Sequence, residues 1–268
     1  MRLVRRLLQR LLAGPAVALP SEPIPQSWHQ ILERRVPLSG PLDVHDRNRL
    51  LRLAQLFVRE VPMEGCAGLA MTDEIRVTIA ATASLLLLKL PYPRFPRLRR
   101  VLVYPDTFVP VRIASYRSQG IQEAPVPELG EAWRDGMVVL SWNDITAGGA
   151  SPEDGRNVIL HEFAHVLDFE DGASDGRPIL DSEQARAAWS AVLQAEFERH
   201  QDAASRAEDA TLDPYAATDR AEFFAVATET FFETGAHLRE RLPDLYEQLR
   251  LFYRQDPASR TGQPARHH

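Results

Sequence analysis

The chain has 268 residues, 44% of them hydrophobic and 25% charged, an ordinary globular composition with enough apolar mass for a sizeable core. Its formal net charge of −6 excludes a general nucleic-acid binder, which needs a basic face. The one cysteine, Cys66, forbids an intrachain disulfide and suits a reducing cytoplasm; between Gly65 and Ala67 it reads as a buried spectator rather than a reactive thiol.

In chain order, Leu3, Val4, Leu7, Leu8, Leu11 and Leu12 recur at helical spacing, with Arg2, Arg5, Arg6 and Arg10 between them. A signal peptide carries an unbroken apolar stretch, which these arginines deny. The pattern is that of a short basic amphipathic helix, packed on the domain or touching a membrane surface or a partner. Gly14, Pro15, Pro20, Pro23 and Pro25 mark a linker, so residues 1–27 form the basic helix and Pro-rich linker, and the body begins near Trp28. Helices are predicted over 45–60 and 73–89, the second capped by Thr72 or Asp73 and followed by breaks at Pro91, Pro93 and Pro96. The apolar run at 85–88 ends at Lys89, far too short to span a membrane. Strands are predicted over 101–104, 108–113 and 137–142. Gly148, Gly149 and Pro152 then mark a loop.

Beyond that loop, residues 161–165 read His161-Glu162-Phe163-Ala164-His165. Two histidines four apart share one face of a helix, about one turn from each other, and both rings reach a single zinc ion. Glu162, beside them, is placed to act as general base on a zinc-bound water. Ile159, Leu160, Phe163, Ala164, Val166 and Leu167 make this helix apolar nearly all round, hence buried. Buried His and Glu side chains must be hydrogen-bonded or metal-bound.

An acidic loop follows, with Asp168, Glu170, Asp171, Asp175 and Asp181. Its spacing fits no EF-hand and reads as a solvated turn region. Helices are predicted over 183–199, 219–234 (with Asp219 as cap) and 244–254. The tail, 258–268, reads as disordered, with His267 and His268 an inert terminus.

A catalytic zinc takes three protein ligands and keeps one open position. Asp171 stands where a metzincin places its third histidine, but Asp168 replaces the glycine that lets that backbone turn. The other route draws on the apolar helix 219–234, which carries Glu222, Glu229 and Glu233. Glu222 and Glu229, seven apart, share a face, and Glu222 is preferred for lying in the first turn, closest to Tyr215.

The segment Tyr215-Ala216-Ala217-Thr218-Asp219-Arg220-Ala221-Glu222-Phe223-Phe224-Ala225-Val226 resembles the Mlc titration factor A family of bacterial zinc peptidases. Residues 50–60, 101–105, 140–145 and 251–257 carry the same likeness, which spans roughly 28–257. Arg220 departs from it, a Pro being common there, and the basic N-terminal stretch is not part of the family pattern. The resemblance implies an α+β, zincin-like metallopeptidase fold over 28–257, mostly helical with a small sheet and an active-site HExxH helix, similar to the catalytic domain of anthrax lethal factor. It places the ligating glutamate on Glu222 and a tyrosine on Tyr215. One Zn2+ is then expected on His161, His165 and Glu222, with Glu162 as base and Tyr215 as donor to the oxyanion. Asp168 and Glu229 are expected to orient the histidines, and the strand around 138–142 to edge the cleft. The implied activity is hydrolysis of peptide or protein substrates, aminopeptidase cleavage included. The resemblance also implies sequestering of a transcriptional repressor of the Mlc type, with peptidase activity secondary. A third reading, a zinc-stabilised scaffold, leaves Glu162 without a purpose.

Overall fold

A computed structural model describes residues 18–91, 95–106, 136–148, 156–206 and 211–260. Helices α1 (Gln26–Arg35) and α2 (Val44–Glu60) precede strand β1 (Met63–Gly65) and helix α3 (Asp73–Leu87). From Ile75 to Leu87 nearly every side chain of α3 is buried, so it must be surrounded, and α1 and α2 pack against it. The predicted cap is in place, the Thr72 hydroxyl accepting the Ile75 N–H at 3.3 Å.

Strands β2 (Arg100–Tyr104) and β3 (Met137–Ser141) complete a sheet of order β1-β2-β3 with both pairings parallel. Val101 stands opposite Met63 on one side and Val138 on the other. Parallel neighbours cannot be joined by a tight turn, and α3 is the crossover between β1 and β2. Trp142, predicted to end the third strand, instead opens helix α4 (Trp142–Gly148), because the Ser141 hydroxyl accepts the Asp144 N–H at 3.1 Å and caps it. Gly148 accordingly lies in a helix and not in a loop.

The second half holds α5 (Val158–Asp168), α6 (Glu183–Ser205), α7 (Arg220–Glu233), α8 (Gly235–Arg241) and α9 (Pro243–Tyr253). α5 packs on α3 and, more extensively, on α7. Phe163 of α5 meets Phe57 and Phe95 at 5.6 and 4.9 Å between ring centroids. Trp189 of α6 meets Phe224 of α7 and Phe252 of α9 at 5.7 and 5.6 Å. These rings lock α5 and α7 in place, and the site depends on that pair.

Several elements differ from the sequence expectations. α1 begins at Gln26, inside the predicted linker, and Leu19 and Ile24 pack on the core while Arg52 holds the Glu22 carbonyl. α6 runs past 199 to Ser205, through alanines that favour helix. α8 follows α7 after a single residue, Thr234, in a stretch where no helix is predicted. The predicted tail starts too early: Pro257–Ser259 form a 3-10 turn, Ala258 is buried, and its N–H donates to the Tyr246 hydroxyl at 3.1 Å. Cys66 is half-buried, not buried, where the chain leaves the end of β1. The predicted helix within 1–17, the strand at 108–113, Pro93, Gly149, Pro152 and residues 261–268 lie outside the described residues. No helix among the described residues is long and apolar enough to cross a membrane.

Candidate metal centre

Asn157 is the N-cap of α5, its side chain accepting the Leu160 N–H at 3.1 Å. The same residue pins α5 to α7: its N–H donates to Glu229 at 2.5 Å and its amide to Glu233 at 2.7 Å. At the start of α7, Asp219 accepts the Glu222 N–H at 2.9 Å. The two helices therefore lie antiparallel, the start of α5 beside the second half of α7 and the start of α7 beside the end of α5, and His161, His165 and Glu222 converge between them.

Three atoms that could hold a metal ion form a small triangle. His161 Nε2 lies 3.1 Å from Glu222 Oε2 and 3.2 Å from His165 Nε2, and His165 Nε2 lies 3.4 Å from Glu222 Oε2. Bonds of about 2.0–2.1 Å in a tetrahedron put neighbouring ligand atoms about 3.3 Å apart. The spacing and the two-nitrogen, one-oxygen donor set both fit zinc. Tyr215 donates its hydroxyl to the other Glu222 oxygen at 3.0 Å, and its ring stands 6.1 Å from that of His161.

His161 is held from both sides. Its Nδ1 donates to Glu229 Oε1 at 2.7 Å while Nε2 faces Glu222. Burial opposes a charged ring here, yet the hydrogen bonds to Glu222 and Glu229 and the charges of Glu229 and Glu162 outweigh it, pushing the His161 pKa up to about 10. Burial likewise works against ionised Glu222, and the two histidines overcome it, holding this carboxyl well below the usual range. Two carboxylates thus flank the His161 ring, one at each nitrogen. Glu162 is buried on α5 within this group.

The structure separates the alternatives for the third ligand. Asp171 is exposed, accepts the Ala173 N–H at 3.0 Å, and is no part of the converging group. Glu233 is committed to Asn157. Asp168, expected to orient a histidine, does something else. Fully buried, it accepts the Gly176 N–H at 2.9 Å with one oxygen, and the other oxygen has no hydrogen-bond partner among the described residues. Gly176 sits at φ +73°, gives its carbonyl to the Trp189 indole at 2.9 Å, and abuts the Arg220 carbonyl. Asp168 and Gly176 therefore strap the end of α5 to the start of α7, and the acidic loop is not simply a solvated turn.

A cleft of about 840 Å³ opens on His161, Tyr215 and Glu229 and runs past Val226 and Thr230 to His237. No residue of β3 lines it, so the predicted strand edge is not a wall of this cleft. Asn157 and Asp213 went unremarked in the sequence; an Asn just before an apolar helix is a cap signal that marks the first.

The pattern of the glucose-regulated metallo-peptidase M90 family matches residues 10–254. The chain belongs to this family. It is 38% identical over 236 residues to the protein slr2042 of Synechocystis sp., covering 88% of this chain and 86% of that one. It is 33% identical over 236 residues to Mlc titration factor A of Serratia proteamaculans, covering 87% and 88%. The same figure holds over 228 residues for Mlc titration factor A of Pectobacterium atrosepticum, covering 84% and 85%. The family is one of metallo-peptidases.

Proposed function

We propose that the chain is a zincin-like zinc peptidase in which His161, His165 and Glu222 hold one Zn2+ and Glu162 is the general base. The observation that carries this reading is the triangle of His161 Nε2, His165 Nε2 and Glu222 Oε2, with sides of 3.1 to 3.4 Å, in a chain of a metallo-peptidase family.

His161, His165 and Glu222 would hold the zinc ion, which would supply Lewis acidity, lowering the pKa of water and polarising a carbonyl. Glu162 takes the proton of the attacking water and returns it to the leaving amine. The Tyr215 hydroxyl, now on Glu222, donates to the carbonyl oxygen as charge collects on it, a contribution of about 3–4 kcal/mol. Glu229 holds His161 by Nδ1, so that Nε2 faces the ligand point. Substrate enters along the cleft as a peptide or an accessible segment of a protein.

Metal analysis should find about one zinc per chain. Glu162→Gln should keep that zinc and lose hydrolysis of a panel of chromogenic peptides, as should treatment of the wild type with a chelator. Unblocked aminoacyl members of the panel read aminopeptidase action. Activity retained by Glu162→Gln would remove Glu162 from the mechanism.

The name that relatives at 30–33% identity carry, Mlc titration factor A, favours a second reading. In it the chain is a cytoplasmic regulator that binds a repressor of the Mlc type, with hydrolysis secondary. Titration of purified Mlc with Glu162→Gln separates the two, because only the binding reading survives loss of the base.

A further inference from the structure

We propose that Arg156 is a positioning residue for Tyr215: its ion pair with Asp213 clamps the turn bearing Tyr215 to the start of the HExxH helix. The inference rests on the peptidase reading above.

Arg156 immediately precedes Asn157, the cap already pinned to Glu229 and Glu233. Its guanidinium binds the Asp213 carboxylate, 57 positions away in sequence. Asp213 divides its two oxygens: Oδ2 takes Arg156, and Oδ1 accepts the Tyr215 N–H at 2.8 Å, capping the 3-10 turn Pro214–Ala217. From α6, His200 Nε2 holds the Asp213 carbonyl at 3.1 Å. Tyr215 itself is 36% exposed, so packing alone fixes its ring weakly. Its hydroxyl stands where the turn puts it, 3.0 Å from Glu222. The contacts close a circuit from α5 through Arg156, Asp213, Tyr215 and Glu222 back to His161 on α5.

The Arg156 side chain is 71% exposed, and an ion pair of that kind adds little to stability. Its effect is geometric. A group displaced by about 1 Å from a reacting atom costs up to a hundredfold in rate. The planar guanidinium holds a carboxylate in a fixed direction, which a lysine ammonium does only in part.

The test measures R156A and R156K in the wild-type and Y215F backgrounds of the zinc-loaded full chain. R156A should lower kcat about tenfold with KM within about twofold, and with zinc content and Tm unchanged. R156K should recover part of the loss. In Y215F, R156A should cost nothing further, because the group it positions is gone. With 3-fluorotyrosine incorporated, the fluorine resonance that Y215F removes should shift in R156A while the other tyrosine resonances stay put. An equal loss in both backgrounds, a raised KM with kcat unchanged, or an unmoved resonance overturns the proposal. If the wild type does not hydrolyse peptides, or E162Q matches it, the peptidase reading fails instead, and the fluorine measurement still reads the clamp.

Discussion

Glu229→Gln tests how the site orients His161, one of its proposed metal ligands. The two Glu229 oxygens have separate tasks: Oε1 accepts His161 Nδ1–H at 2.7 Å and Oε2 accepts the Asn157 N–H at 2.5 Å. Its side chain is 9% exposed, so little water is at hand to substitute. Glutamine is nearly isosteric, but it replaces one acceptor with a donor. If its carbonyl stays on His161, its amide confronts the Asn157 N–H, leaving a donor unsatisfied at the α5 cap for about 1–3 kcal/mol. If the amide turns the other way, His161 loses its acceptor and the tautomer that points Nε2 lone-pair first at the metal. Loss of such an outer partner costs about 10–100-fold in metal affinity, or about 1.4–2.7 kcal/mol. The two losses are alternatives, so one or the other must appear. Zinc affinity is read by competition with a chromogenic chelator, and the cap by thermal unfolding in chelator, where about 1 kcal/mol moves Tm by about 2–4 °C. A variant with wild-type zinc affinity and wild-type Tm would refute the assignment of Glu229 to His161.

Other substitutions probe the remaining links. Glu222→Ala should lose zinc measured by metal analysis while Asp171→Ala keeps it; the reverse would restore the metzincin-like route. A side chain at Gly176 would bring Cβ within 2.4 Å of the Arg220 carbonyl at φ +73°, so Gly176→Ala should destabilise by about 1–3 kcal/mol in denaturant titration; an unchanged midpoint contradicts the strap. Phe163 is fully buried between Phe57 and Phe95, and Phe163→Ala should cost about 3–5 kcal/mol; a loss below 1 kcal/mol, about that of a surface change, would mean the ring cluster does not hold α5. Burial, reinforced by Asp171 and offset in part by Arg97, pushes the Glu170 pKa up to about 8. The folded chain then binds this proton more tightly than the unfolded one, so the contribution is whole below the ordinary carboxyl pKa of 4.5 and lost as pH rises through about 8. Stability should fall over that window by at most about 1.4 kcal/mol per pH unit for this group, and Glu170→Gln should flatten the slope. Superimposable pH profiles would show that Glu170 carries no such linkage. Asp168, pushed up to about 7 chiefly by burial, keeps part of the slope in that variant.

The HExxH spacing, the apolar wrap of its helix, and the caps at Thr72 and Asp219 were all legible along the chain, because each depends on residues within one or two turns. So were helices α6, α7 and α9, though not α8, and the strands β2 and β3, whose apolar character is continuous. What the chain order concealed depends on partners far away in sequence. β1 is three residues long and exists because β2 supplies its hydrogen bonds. α1 follows directly on a Pro-rich stretch and is held by its buried stripe of Trp28, Ile31 and Leu32. The sequence favoured Glu222 over Asp171 as the third ligand, but periodicity could not show where either side chain lies. The meeting of α5 with α7 chose, through Asn157 on Glu229 and Glu233, and it left Asp171 in solvent. Asp168 likewise looked placed to serve a histidine, and the Gly176 turn took it instead. The sequence by itself determined which residue types could bind a metal and which helices would be buried. Only the tertiary structure decided which carboxylate faces the histidines, since that choice is made by packing between helices some sixty positions apart.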